Sequence, residues 1–294
     1  MSLIYNIKED NGNIWCLLLL KNGNLCSGGS DSKIKIYSLI NFQLEKILLG
    51  HNSYITSLYE LNNENNKLLS SSGDKYIKLW DLISGNCLNS FKAHFSSIFK
   101  VIQIKNNKIV SCSEDNFIKI WEYKDNHFYH IKTLEKHIGT VYSILEMKNY
   151  IISGSWDCNL IFWDINNDYN FYKIVPNIFN CSNNSLRKYD ENRCMIGGEG
   201  IFYIVNIISF QIETKFSTKI YEGFINSLCL INDKNWIIHS GFNRNEIFIW
   251  DKYTYKKIKR IPTINPTIFD IIYLGNNYIA VSNDTINIIK IHNN

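Results

Sequence analysis

Ile77-Lys78-Leu79-Trp80-Asp81 is the stretch on which the fold turns, because the chain keeps returning to it. Near copies stand at Ile118-Lys119-Ile120-Trp121-Glu122, Leu160-Ile161-Phe162-Trp163-Asp164 and Ile247-Phe248-Ile249-Trp250-Asp251. Ile34-Lys35-Ile36-Tyr37-Ser38 is weaker. Phe202-Tyr203-Ile204-Val205-Asn206 and Ile286-Asn287-Ile288-Ile289-Lys290 are degenerate. The key positions are 37, 80, 121, 163, 205, 250 and 289, separated by 43, 41, 42, 42, 45 and 39 residues. Self-similarity at such a period signals stacked or ringed units of about four strands each.

Each unit follows one grammar. An apolar strand opens it, as in Val141-Tyr142-Ser143-Ile144-Leu145, and a polar turn follows. A second strand ends in small residues, as in Ile151-Ile152-Ser153-Gly154-Ser155. A tight Asp-bearing turn leads to the Trp strand, and a more polar fourth strand runs on to the next unit. Alternation marks the strands, and Gly, Asn and Asp punctuate them. No segment has a convincing helical period. The seventh unit lacks a fourth strand of its own, while Ser2 to Lys8 has no unit before it. Ile7 and Asp10 match Phe91 and His94 in spacing, so the N-terminal strand is expected to complete the last unit and close a ring. Closure leaves only short outer edges exposed.

Composition fits one all-β domain over residues 1–294. Hydrophobic residues make up 45% and charged residues 20%, a balance that can bury a large core. The 14% of aromatics favours strands. A net charge of +4 is too mild to require nucleic acid. The eight cysteines include no Cys-x-x-Cys pair, and Cys16, Cys26 and Cys229 lie in apolar strand patterns, which reads as reduced core thiols. No apolar run approaches the roughly 20 residues of a membrane helix, and no secretory segment opens the chain. An intracellular location, cytoplasmic or nuclear, is the resulting expectation.

The whole chain resembles the WD40 β-propellers. Trp80-Asp81-Leu82-Ile83-Ser84-Gly85, followed by Phe91-Lys92-Ala93-His94, reproduces the family's Trp-Asp, Ser-Gly turn and small-residue-His pattern. The resemblance implies a seven-bladed propeller of four-stranded antiparallel blades, with a His–Ser–Asp–Trp hydrogen-bond network inside each well-formed blade. Three units carry the set: His51, Ser70, Asp74, Trp80; His94, Ser111, Asp115, Trp121; and His137, Ser153, Asp157, Trp163. The first keeps Ser27 and Asp31 but has Asp10 for His and Tyr37 for Trp. The last three place Ser182, Tyr221 and Ile264 near the His position and are expected to be less rigid.

His, Ser and Asp together also invite a hydrolase reading. Three copies at blade spacing cannot form one active site, and a catalytic Ser needs an oxyanion hole and access. The bland reading is that Ser and Asp satisfy buried His and indole groups, since an unmade buried hydrogen bond costs about 1–3 kcal/mol. The seven His are dispersed without zinc spacing. No catalytic residue, metal or cofactor is expected.

In WD40 relatives the binding side chains lie three and five residues after the His position and just before the turn Asp. Carried over, the first set reads Asn13 and Trp15, Tyr54 and Thr56, Ser97 and Phe99, Thr140 and Tyr142, Ser185 and Arg187, Phe224 and Asn226, Thr267 and Phe269. The second includes Ser30, Gly73, Glu114, Trp156 and Gly198. The expected partner-binding mouth is therefore Trp15, Tyr54, Phe99, Glu114, Tyr142, Trp156, Arg187, Phe224 and Phe269. Aromatics and Arg most often anchor interfaces. The alternative is that some rings pack sideways between blades, above all Phe224 and Phe269. Glu114 is placed to meet a basic side chain, and Arg187 an acidic or phosphorylated one. A basic run, Lys252, Lys256, Lys257, Lys259 and Arg260, reads as a solvated strand edge.

The resulting expectation is a non-catalytic scaffold or adaptor whose partners are other proteins or peptide segments. The runner-up is a module reading a short, possibly modified, peptide or ubiquitin at the mouth. A propeller enzyme would need clustered ionisable groups in the channel, which the aligned rim does not offer. Neither a membrane, a nucleic acid nor a small-molecule substrate is expected.

Overall fold

The computed structural model describes residues 2–8, 12–176, 178, 185–198, 200–217, 225–231, 236–241, 246–263 and 267–291, with side chains left aside at 2, 216–217 and 236–241. Asp10, Ser182, Tyr221, Phe224 and Ile264 lie outside the described residues.

The chain opens with β1 (Ser2–Lys8). Then come β2 (Ile14–Leu19), β3 (Leu25–Gly29), β4 (Ile34–Tyr37) and β5 (Leu44–Leu48), then β6 (Ile55–Glu60), β7 (Lys67–Ser72), β8 (Tyr76–Asp81) and β9 (Cys87–Lys92). The next eight are β10 (Ile98–Gln103), β11 (Lys108–Ser113), β12 (Ile118–Lys124), β13 (His127–Leu134), β14 (Val141–Met147), β15 (Tyr150–Ser155), β16 (Asn159–Asp164) and β17 (Asn170–Pro176). They are followed by β18 (Leu186–Lys188), β19 (Arg193–Gly197), β20 (Ile201–Asn206), β21 (Gln211–Ser217), β22 (Ile225–Ile231), β23 (Trp236–Gly241), β24 (Glu246–Asp251) and β25 (Lys257–Pro262). The last are β26 (Asp270–Gly275), β27 (Tyr278–Ser282) and β28 (Thr285–Lys290). Turns between them use residues that tolerate the left-handed region. Asn66, Asn107, Asn116 and Asn277 take φ of 61°, 63°, 71° and 70°.

The described strands group into seven four-stranded antiparallel sheets. Six are consecutive meanders, β2–β5 through β22–β25. The seventh has the order β1-β28-β27-β26, so the first strand of the chain sits at the outer edge of the last sheet. Ile7 faces Ile286 and Lys8 faces Thr285 across that seam. Strand β2 contacts β6, β6 contacts β10, and so on to β26, which contacts β2. The inner strands therefore form a closed circuit.

The core lies between sheets. Ile34, Ile36 and Cys26 of one sheet pack against Ile55, Leu68 and Trp80 of the next. At the seam, Ile7, Ala280, Ile286 and Ile288 pack against Ile14, Leu17, Leu25 and Tyr37. Each fully buried side chain of this size stabilises by about 1.5–3 kcal/mol. The approach is close: a Cβ on Gly28 would lie 2.6 Å from Cγ2 of Ile55. Cys16, Cys26, Cys112, Cys194 and Cys229 are buried free thiols, whereas Cys87 is exposed at the start of β9. Among the described residues no helix is long and apolar enough to cross a membrane.

Asp270 ties the seam polar-side. Its Oδ2 accepts from the Leu17 amide at 3.0 Å, and Oδ1 accepts from Ser227 Oγ at 2.8 Å and the Ile271 amide at 3.0 Å. One buried carboxylate thus bonds three successive sheets. Deleting residues 2–8 strips the seam of its outer strand and exposes Ile286 and Ile288. The expected loss is about 3–6 kcal/mol, two large side chains' worth of burial, read as a clear drop in Tm. A wild-type melting curve for the deletion contradicts the closed circuit.

Candidate functional site

Three sheets contain the same four-residue hydrogen-bond chain. In the β10–β13 sheet, Trp121 Nε1 donates to Ser111 Oγ at 2.9 Å, Ser111 Oγ lies 2.8 Å from His94 Nε2, and His94 Nδ1 lies 3.0 Å from Asp115 Oδ2. The same atoms meet in His51, Ser70, Asp74, Trp80 at 2.7–2.8 Å and in His137, Ser153, Asp157, Trp163 at 2.7–2.9 Å. Burial holds His94 below its ordinary value, against the pull of Asp115, so its ring is neutral near pH 7. A carboxylate can only accept, so the ring proton is on Nδ1 and Nε2 accepts from the Ser hydroxyl. That bonding order is also a hydrolase triad's, but Ser70, Ser111 and Ser153 are fully buried and present no hydroxyl to a substrate.

Each Asp also caps the turn. Asp115 accepts from the amides of Phe95 and Phe117 at 3.0 and 3.1 Å. Burial alone pushes its carboxyl up, but the His94 hydrogen bond, the His94 dipole and these amides outweigh it and hold it below the usual range. Asp74 and Asp157 are held low in the same way. In the first sheet the set is replaced: Lys35 Nζ meets Asp31 Oδ2 at 2.9 Å, a buried pair within one sheet.

This turn presents the rim. The residue before each turn Asp donates its amide to a carbonyl of the preceding inner loop: Ser30 to Asn13, Gly73 to Tyr54, Glu114 to Ser97 and Trp156 to Thr140, all at 2.9 Å. The inner strands start with a bulge. The register slips at Ile14/Cys16, Ile55/Ser57, Ile98/Lys100, Val141/Ser143 and Ile225/Ser227. The bulged residues are Trp15, Thr56, Phe99, Tyr142 and Asn226. A bulge re-aims a side chain that the ladder would otherwise align.

The result is two groups of aromatic rings. Trp15 stacks between Phe269 and Tyr54, with ring centroids at 6.0 and 4.6 Å. Tyr54 lies over Gly73, where a Cβ would meet its ring at 2.5 Å, and its hydroxyl donates to Ser97 Oγ at 2.9 Å. Phe99 packs on Tyr142 at 4.6 Å, and Tyr142 meets the edge of Trp156 at 6.1 Å. Ser96 Oγ donates to Glu114 at 2.6 Å, which with Ser97 keeps that carboxylate ionised. Trp156 is 57% exposed, and Glu114 is exposed beside it in the sequence of turns.

Not every expected side chain joins the rim. Phe99 is 9% exposed and serves as backing for Tyr142. Thr56 and Ser97 are buried, Thr56 donating to the Ile98 carbonyl of the next sheet. Asn226 likewise donates to the Ile268 carbonyl at 3.0 Å. Arg187 is out of register. It faces Met195 as Tyr59 faces Leu69, three residues beyond the level of the bulged Thr56. The turn after β19 is also one residue short: four residues separate Gly197 from Phe202, against five between Ser71 and Ile77, so Gly198 is not level with Glu114 either. The basic run is also divided. Lys252 is buried and donates to the Tyr189 carbonyl at 2.8 Å, while Arg260 pairs with Glu246 across the strands. Missed by sequence reasoning were Phe95 and Ile138, 72% and 86% exposed. Each follows a network His, and its amide is pinned to the turn Asp. Among the described residues no three His, Cys, Asp or Glu gather as a metal site.

The profile described as "WD domain, G-beta repeat" matches residues 1–38, 42–81, 85–122 and 128–164. The chain belongs to the WD40 repeat family. Each matched repeat begins with the outer strand of one blade and ends in the third strand of the next, the stagger that the β1–β28 seam completes. Similar stretches occur in the guanine nucleotide-binding protein subunit beta of Oryza sativa subsp. indica, 29% identical over 89 residues, covering 28% of this chain and 23% of that protein. Cell division control protein 4 of Saccharomyces cerevisiae is 28% identical over 172 residues, 50% of this chain and 22% of its own length. The tRNA (guanine-N(7)-)-methyltransferase non-catalytic subunit wdr4 of Dictyostelium discoideum is 37% identical over 67 residues, 22% and 14%. The chain thus spans less than a quarter of each of these relatives. WD40 propellers generally act as platforms for protein interaction.

Asp115→Ala leaves the His94 Nδ1 proton and two turn amides without an acceptor. The expected cost is about 1–3 kcal/mol, seen as a lower Tm. The network also predicts acid sensitivity. His94, held low, adds stability that is complete above about 6.5 and declines as pH falls below it. The three Asp, also held low, add stability present above about 3.9 and lost below it. Thermal melts from pH 7 to 3.5 should decline throughout, and His94→Gln should flatten the part between pH 6.5 and 5. An identical profile in that variant contradicts the assignment.

Proposed function

We propose that this chain is a single, seven-bladed, non-catalytic scaffold that holds a peptide segment of a partner protein across the aromatic rim of blades 7, 1, 2, 3 and 4. The observation that carries the reading is a pair of ring groups, Phe269, Trp15 and Tyr54 and then Tyr142 with Trp156, with the ionised Glu114 on the same set of turns. Rigid aromatics lose little entropy on binding and bury much area. Phe95 and Ile138 extend the surface outward over blades 3 and 4, giving a footprint larger than one pocket. That extent favours a scaffold over a reader of a single modified residue. Glu114 suits a basic side chain of the partner, and the rings suit its aliphatic stem. Arg187, deeper in the ring, is not part of this rim. An intracellular place of action, cytoplasmic or nuclear, is part of the proposal, in keeping with buried free thiols.

The full burial of the three network serines argues against hydrolysis there, and the relatives include one named as a non-catalytic subunit. The test is affinity purification followed by mass spectrometry with a Trp156→Ala, Glu114→Ala double variant. Both side chains are exposed, so the variant should melt like wild type and lose the rim partner. Retention of every wild-type partner by the folded double variant removes the rim from consideration.

A further inference from the structure

Phe95 stands exposed in the turn between β9 and β10, and two ammonium groups lie over its ring. Lys92 Nζ is 5.9 Å from the ring centroid, and Lys119 Nζ is 5.2 Å from it. The two come from different blades. Lys92 ends β9, and Lys119 stands in β12, its ammonium donating to the Ala93 carbonyl at 2.8 Å. Lys75 adjoins them through the backbone, its carbonyl accepting from the Ala93 amide at 3.0 Å. Lys78 faces Ser90 across the ladder, diagonal to the Tyr76–Lys92 pair, and its Nζ lies 5.7 Å from the Tyr76 ring. Diagonal neighbours on one sheet face are roughly 7–8 Å apart, so Lys78 extends the group along the sheet.

Carboxylates do not answer this charge. Among the described residues none of Lys75, Lys78, Lys92 and Lys119 makes an ion pair. Asp115 attracts Lys119, yet both its oxygens are taken by His94 and by the amides of Phe95 and Phe117. Asp74 is engaged in the same way by His51 and the amides of Asn52 and Tyr76. Glu114 belongs to the rim, where Ser96 holds it and Lys75 is near enough to help keep it ionised. A ring face satisfies an ammonium only in part, and the remaining N–H donors stay open to water or to a partner. The group is also local. Two residues before the network His of successive blades stand Leu49, Lys92 and Glu135, so the next blade carries an acid where this one carries a cation.

We propose that the flank around Phe95 binds an acidic segment of the partner protein, with an apolar side chain of that segment covering the ring and its carboxylates reaching Lys75, Lys92 and Lys119. The inference rests on the rim reading for a protein partner at this face, and it names the partner's chemistry on the outer side. The segment is then bipolar, basic where it meets Glu114 and acidic where it crosses to Phe95. Complementary charge of this kind steers encounter and fixes the direction in which the segment lies.

The test is selection of a displayed library of random peptides on the purified chain. Selected sequences should be rich in Asp and Glu flanking a large apolar residue. Synthetic copies should bind saturably, with a Kd that rises with salt. Combining Lys75→Gln with Lys92→Gln removes two exposed ammonium groups, so that variant should melt like wild type and bind the copies about tenfold more weakly. Phe95→Ala should weaken them as well. Selection repeated on the Trp156→Ala, Glu114→Ala variant separates this inference from the rim reading. Acidic enrichment that survives there leaves the flank standing without the rim, whereas neutral or basic peptides lost with that variant leave the rim standing without the flank. Absence of acidic enrichment on wild type overturns the proposal, as does equal binding by wild type and the folded lysine variant. Tighter binding of a single-stranded oligonucleotide than of any selected peptide also overturns it, because the lysines would then serve a phosphate backbone.

Discussion

Everything in this molecule rests on the pairing of β1 with β28. A meander of four-stranded sheets has two raw edges, and each sheet buries its faces only against neighbours. Joining the first strand to the last sheet turns a stack into a circuit, so that Ile14, Leu17 and Tyr37 find their cover in Ile7, Ile286 and Ile288. Asp270 adds a polar clasp at the same seam, bonded to three sheets at once. Blade packing, rim geometry and channel all inherit their positions from that closure.

Within the circuit the blades are unequal. Those built on β6–β9, β10–β13 and β14–β17 are braced by Trp, Ser, His and Asp in a chain that fixes the turn before the third strand. The turn Asp does two things: it satisfies a buried ring, and it pins the next residue's amide so that Phe95 and Ile138 face outward. A structural network thereby becomes a device for presenting contact residues. The family profile covers these three blades and also the first, which lacks the network.

The period and the network were legible because they depend on short-range spacing. Asp lies four after Ser and six before Trp in all three braced blades, and strands and turns follow from that count. The rim was legible only where a His set the origin. In the fifth blade no His sets the origin, so the count carried to Arg187 ran past the rim level, and a turn one residue shorter after β19 displaced Gly198. Burial was harder still. Trp156 and Phe99 both occupy binding positions, yet one is exposed and the other backs Tyr142, a difference set by neighbouring blades rather than by local pattern. Lys252 shows the same limit: it sits in a basic run but is drawn inward by the Tyr189 ring and carbonyl.

The most direct measurement is native-state amide hydrogen exchange along the last blade. If the circuit is closed through its first strand, the β1 amides bonded to β28 exchange as slowly as those linking β27 to β28, and only through opening of the whole ring. Rapid exchange throughout β1, with the other blades still protected, would show an open stack and contradict the account.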